Sequence, residues 1–120
     1  MNQKINIQEK FSQINELWSP QIIGELHGLQ LKIAKVKGEF VWHQHQNEDE
    51  LFYVIKGCLT IRLRDREIVL NEGECFIVSK GTEHQPSAEE ETHILLIEPK
   101  GTLNTGNMQN ELTIKSPEWI

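Results

Sequence analysis

The side chains in this sequence best suited to chemistry are two histidines one residue apart, His43 and His45, and a carboxylate five residues beyond the second, Glu50. Successive side chains of an extended chain point to opposite faces, so His43 and His45 point the same way, about 6.6 Å apart along the chain. Two imidazoles at that distance can tilt to share one ion. Gln46 to Asp49 suit a turn, and Glu50 opens the strand that returns antiparallel. A carboxylate then lies beside the histidine pair, and this mix of nitrogen and oxygen donors suits hard and borderline cations. Another histidine, His84, stands on a separate segment before Pro86. Nothing local ties it to the others, and His-x-His alone also fits two surface or hydrogen-bonded histidines.

The surrounding elements must position these groups. Ile7, Phe11, Ile14, Leu17 and Trp18 recur at helical spacing, Asn6 can cap with Glu9 three residues on, and Pro20 is a stop. The spacing predicts one short amphipathic helix over 7–18, packed on the outside of a barrel. From 21 to about 99, short apolar runs alternate with turn residues. Strands are predicted at 22–27, 30–37, 39–45, 51–56, 59–64, 67–70, 74–79, 84–88 and 93–98, with Glu89 to Glu91 as a solvated hairpin tip. This texture predicts an all-β sandwich or barrel, and the lack of intervening helices excludes a parallel α/β sheet. In 30–37, Leu31 and Ile33 share one face while Ala34 and Val36 share the other. A bulge near Ile33–Ala34 or burial of both faces reconciles them. Without a bulge, Lys35 is a strand-edge charge or a pocket cation, and the edge is preferred. The segment 100–120 is loop-rich, with Leu112, Ile114, Trp119 and Ile120 able to fold back on the barrel; a loose tail is the alternative.

A chain of 120 residues fits one domain, 1–120, with enough core to hide roughly two thirds of its unfolded surface. A formal charge of -6 argues against nucleic acid or anionic membranes as partners. No apolar run of membrane-spanning length is present, and the first ten residues have no signal-peptide core, so a cytoplasmic location is expected. The two cysteines, Cys58 and Cys75, are expected to be free thiols acting as small buried hydrophobes.

The residues also follow two motifs. Gly38, His43, His45, Glu50 and Gly57 resemble the first motif of the cupin family, with four rather than five residues between Gly38 and His43. Gly73, Gly81 and His84 resemble the second, with Ser79 in place of its proline and Ala88 in place of its asparagine. The end segment EPKGTLNTG, residues 98–106, is similar to that of small cupins, some named for mannose-6-phosphate isomerase. The resemblance implies a double-stranded β-helix (jelly-roll) barrel, usually a homodimer. It also implies one divalent transition metal ion (iron, manganese, zinc, nickel or copper) on His43, His45, Glu50 and His84. Phe52 and Val54 share parity with Glu50 and are expected to line the substrate pocket. Phe40 and Trp42, of parity opposite to His43, are expected to face outward at a dimer contact or outer layer. His27 and His93 are left outside the site.

Four protein ligands leave a six-coordinate ion two open positions, whereas they fill a tetrahedral zinc. The resemblance thus points to a metal-dependent enzyme, an isomerase or dioxygenase. Its substrate would be small and polar, such as a sugar phosphate or oxo-acid, with the ion as Lewis acid or oxygen-binding centre. No separate general base is evident, and Tyr53 has parity opposite to Glu50. The alternatives are a non-catalytic module that binds or senses a small molecule such as a sugar, and a barrel in which the ion is structural.

Overall fold

The computed structural model describes residues 2–120. One helix, α1 (Ile7–Phe11), precedes seven strands: β1 (Gln21–Leu26), β2 (Leu29–Glu39), β3 (Glu50–Lys56), β4 (Cys58–Leu63), β5 (Glu67–Asn71), β6 (Cys75–Val78) and β7 (His84–Pro99). Every strand pairing is antiparallel. The sheet runs β1-β2-β7-β3-β6, while β4 pairs with both β5 and the first part of β7. The all-β jelly-roll expectation therefore holds. No helix among the described residues is long and apolar enough to cross a membrane.

β7 is the spine of the barrel. Its outer half, Thr92 to Pro99, lies between β2 and β3, and its inner half, His84 to Ser87, turns onto β4. The sequence predicts two strands and a tip here, but the strand is continuous. Between the Val36–Thr92 and Gly38–Ala88 pairs, the register shifts so that one residue of β2 faces three of β7. The exposed Glu89, Glu90 and Glu91 bulge there rather than turning back.

Alternation sorts the barrel's residues. Ala34 and Val36 of β2, Phe52 and Val54 of β3, and Ile94 and Leu96 of β7 share one buried cluster inside. Ile33 and Leu95, of opposite parity, join Phe11 and Ile14 in a second cluster under the helix. Both faces of β2 are thus buried, and its register has no irregularity at Ile33–Ala34. Lys35 points to the outer side, where its Nζ donates to the Ile14 carbonyl at 2.9 Å. Gly57, at φ +100°, lies so close to β7 that a Cβ would sit 2.6 Å from the Thr92 hydroxyl. Only glycine fits that approach.

The helix is shorter than the periodicity predicts. The Asn6 cap forms, accepting from the Glu9 N–H at 3.1 Å. After Phe11 the chain leaves the helix, and Leu17 pairs beside Lys35. A strand-like contact takes residues that propensity alone would keep helical. Trp18 sits in the left-handed region at φ +58°, with its N–H on the Lys35 carbonyl at 2.8 Å. The C-terminus folds back: Ile22 donates to Glu118 and accepts from Ile120. Trp119 remains 58% exposed. Both cysteines are exposed free thiols rather than buried hydrophobes, because Cys58 and Cys75 fall on the outward parity of β4 and β6.

Candidate metal centre

The strand predicted at 39–45 stops at Glu39, and residues 40–49 form an extended link with a single bridge at His43. That bridge builds the site. His43 and His84 exchange backbone hydrogen bonds, 3.0 and 2.9 Å, which sets the two rings side by side at 4.3 Å. The Gly81 N–H donates to the His45 carbonyl at 2.7 Å, tying the second histidine to the same turn. Glu50 begins β3 on its inner face, so β3 brings in the carboxylate and β7 brings in His84.

His43, His45, Glu50 and His84 are all buried, and one ligand atom from each lies within 4.8 Å of the others. Glu50 Oε1 is 3.3 Å from His45 Nε2 and 3.4 Å from His84 Nε2. Metal–ligand bonds of about 2.1 Å place opposed ligand atoms about 4.2 Å apart, so small adjustments close the group on one ion. Second contacts fix the rings. Nδ1–H of His43 donates to the Val41 carbonyl and that of His84 to the Thr82 carbonyl, each at 2.9 Å. Those bonds leave both Nε2 lone pairs free to coordinate. His45 Nε2, His84 Nε2 and Glu50 Oε1 have no hydrogen-bond partner although buried. Buried polar atoms are rarely left so, and a cation at their meeting point satisfies all three.

The charges agree with this geometry. Burial, followed by the neighbouring His84, lowers the His43 pKa from 6.5 to about 4, which keeps its ring neutral and able to coordinate. Burial alone would raise the Glu50 pKa. The neighbouring Glu98, His45 and His84 side chains outweigh it and hold the carboxyl well below its usual range. Glu98 moves the opposite way, raised first by burial and then by the Glu50 charge.

Glu98 and its partner Lys32 are the buried groups that pattern reading misses. Lys32 is 2% exposed and Glu98 1%. Lys32 Nζ bonds Glu98 Oε1 at 2.9 Å and the Thr102 carbonyl at 3.4 Å. A charge on a strand is ordinarily solvated, yet both share the parity of core residues: Lys32 with Ala34 and Val36, Glu98 with Ile94 and Leu96. That parity was the available signal.

The C-terminal loop braces the histidine segment. The Gln44 N–H donates to Asn107 Oδ1 at 2.9 Å, and the Asn107 N–H donates to the Gln44 carbonyl at 3.0 Å. Gly106 lies directly beneath: a Cβ there would be 2.2 Å from the Gln44 oxygen.

Phe52 lines a small cavity that borders His43 and Glu50. Val54 sits one pair deeper, fully buried in the core and away from that lining. Phe40 is not on the outside. It is 5% exposed, stacks on Trp18 at 4.7 Å and walls the same cavity. The parity argument fails there because residues 40–42 leave the strand. Trp42 is half-buried, with the Arg64 guanidinium 3.8 Å over its ring. His27 is exposed in the β1–β2 turn, and His93 stacks on Phe11 outside the barrel.

A jelly-roll barrel with three imidazoles and one carboxylate converging inside it defines a barrel protein with a site that can hold a metal. Residues 31–98 match the Cupin domain family, and the chain belongs to it. A cupin-2 domain containing protein from Shewanella frigidimarina is 49% identical, with a TM-score of 0.79 over 80% of this chain and 94% of that one. Protein NMB1881 from Neisseria meningitidis is 30% identical, with a TM-score of 0.75 over 82% of this chain and 100% of that one. Among curated proteins, the uncharacterized protein YdbB of Bacillus subtilis is 31% identical across 83% of this chain and 89% of its own length.

Proposed function

We propose that this chain is a metal-dependent enzyme acting on a small molecule that offers oxygen to the ion, with an oxo-acid as the leading substrate class. One observation carries the reading: buried lone pairs of His45, His84 and Glu50 converge without partners beside a cavity. A bound ion supplies Lewis-acid or oxygen-binding chemistry. The protein's own part is positioning. The Val41 and Thr82 carbonyls orient two rings, and Phe52, edge-on to His84 at 6.0 Å, shields them from water.

A sugar phosphate, and with it a mannose-6-phosphate isomerase-like activity, is the less favoured substrate class. Among the described residues no lysine or arginine lines the cavity, so a phosphate dianion would meet only the single net positive charge of an ion beside Glu50. Metal analysis of protein purified without chelating resin, then turnover assays on oxo-acids and diketones with each metal restored, test the reading. In His45→Ala, a folded barrel that loses both metal and turnover supports it. Metal-loaded protein that turns nothing over counts against it.

The second reading is a non-catalytic binding or sensing module. His43 and Glu50 are the only ionisable groups lining the cavity among the described residues, so a separate acid or base is lacking. Ligand-induced melting shifts without turnover favour this reading. We further propose a homodimer, for which exposed apolar side chains such as Ile77, Val69 and Leu29 are available. Sedimentation at micromolar concentration tests it.

A further inference from the structure

The cavity beside the metal centre has a chemistry of its own. Its apolar walls include Trp18, Phe40, Phe52 and Ile94, and its polar lining is His43, Glu50 and Asn104, whose amide is already bonded to Leu112 and Ile114. The nearest buried cation, Lys32, is taken up by Glu98 and the Thr102 carbonyl and does not line the space. A divalent ion beside the Glu50 carboxylate leaves one net positive charge. That charge matches a single carboxylate or enolate, and the rest of the occupant meets hydrocarbon and aromatic faces.

The cavity measures about 30 Å³, the room of a single water molecule. Pockets for small molecules are usually about 300–1,000 Å³, so an occupant must displace a wall. Part of that wall is barrel strand, while Trp18, Pro20, Phe40, His43 and Asn104 line it from segments between strands. Of Trp18 and Phe40, Phe40 is only 5% exposed and Trp18 is the less buried. It lies on the irregular link between α1 and β1, half-buried, with its indole N–H on the Lys37 carbonyl at 2.9 Å. Its ring is stacked on Phe40 at 4.7 Å with 23° between planes. The protein's own aromatic ring thus lies on Phe40 in the wall of the cavity that His43 and Glu50 also line.

We propose that the site takes a compact aromatic molecule bearing an oxygen-donor head, of the aromatic oxo-acid or hydroxy-acid class. Its ring replaces Trp18 on Phe40 while its head reaches the ion. The proposal rests on the metal-dependent reading above and narrows it to a substrate class. Trp18 becomes a specificity-determining residue that an aromatic occupant displaces and a small aliphatic one leaves in place.

The test uses the full chain, metal-loaded, with Trp42→Phe and Trp119→Phe so that Trp18 is the sole indole. Phenylpyruvate and salicylate are the aromatic probes; pyruvate and glucose 6-phosphate are the controls. Both aromatic probes are expected to change Trp18 emission and to raise the melting temperature by several degrees, with the controls doing neither. Trp18→Ala is expected to bind the aromatic probes several-fold more tightly, as the internal competitor is gone. If the double variant does not fold, the difference in emission between the unaltered chain and Trp18→Phe reports the same event. Equal response to glucose 6-phosphate, or bound metal with silent Trp18 emission on adding aromatic probes, overturns this proposal alone. A protein that takes up no metal overturns both it and the reading beneath it.

Discussion

Glu50 and Glu98 face one another inside the barrel, one residue beyond the Leu51–Ile97 pair, and each shifts the other's ionisation. Two carboxyls buried side by side oppose each other's ionisation. Their pKa values are driven apart, that of Glu98 raised by burial and by the Glu50 charge and that of Glu50 lowered, so the pair's negative charge is weighted toward Glu50. Lys32, 2.9 Å from Glu98, balances that charge within the interior. The proposed metal ligand is thus supported by a buried acid and a buried cation.

This arrangement predicts strong coupling between Lys32 and Glu98. Lys32→Met removes the cation and leaves the carboxyl pair uncompensated, a loss of about 3–5 kcal/mol for a broken buried pair. Glu98→Leu strands the ammonium at similar cost. The double variant puts hydrocarbon against hydrocarbon and should be less destabilised than the sum of the two. Urea unfolding of the four proteins measures the coupling. Simple additivity would show that the two side chains do not act as a pair.

Much of the fold was legible because it is local. The alternation from 21 to 99 and the turn residues announced an all-β barrel, and His43, His45 and Glu50 stood out by spacing alone. His84 was legible only through the motif, since its approach to His43 depends on a bridge between distant segments. Lys32 and Glu98 were hidden because charged strand residues default to solvent. Trp18 and Phe40 were misplaced for a shared reason: each lies just outside a regular element, where neither helical nor strand parity applies. Backbone departures at such points cannot be read from periodicity.

The histidine cluster should make the metal-free protein acid-sensitive. His43 titrates near 4 when folded against 6.5 as its ordinary value, because burial disfavours its charge. Between those values the unfolded chain binds more protons than the folded one, so stability falls as pH falls. Complete above about pH 6.5, the contribution is lost progressively down to about pH 4. A shift of this size corresponds to about 3 kcal/mol at most. Unfolding of metal-free protein against pH should show the slope, and His43→Gln should flatten it. An unchanged slope in that variant would place the acid sensitivity elsewhere.

Metal removal should matter to stability as well as to chemistry. An ion that binds only the folded barrel, present at about a hundred times its dissociation constant, adds about 2.7 kcal/mol. For a domain of this size the melting temperature should then drop on the order of 10 °C on chelation. His45→Ala should abolish that difference, while Val54→Ala, a core change away from the ligands, should lower both melting points and preserve it. Calorimetry with and without chelator makes the comparison. A chelator effect that survives in His45→Ala would place the ion elsewhere.

Gly106 offers the sharpest separation of site from scaffold. It adopts φ +55°, and a Cβ there would meet the Gln44 carbonyl oxygen at 2.2 Å and its carbon at 2.9 Å. These are backbone atoms between the two ligand histidines, so no side-chain rotation relieves the clash. In Gly106→Ala either the loop lifts from Gln44 or the histidine segment shifts, and both break the paired bonds between Gln44 and Asn107. The barrel strands lie elsewhere and should still pair. The expected result is a folded protein, with near-native circular dichroism, whose metal affinity falls about tenfold or more, as when groups orienting a ligand are lost. Asn107→Ala removes one of the two bonds without the clash and should fall between that variant and the native chain. Native affinity in Gly106→Ala would show that the loop rests on the ligand segment without holding it.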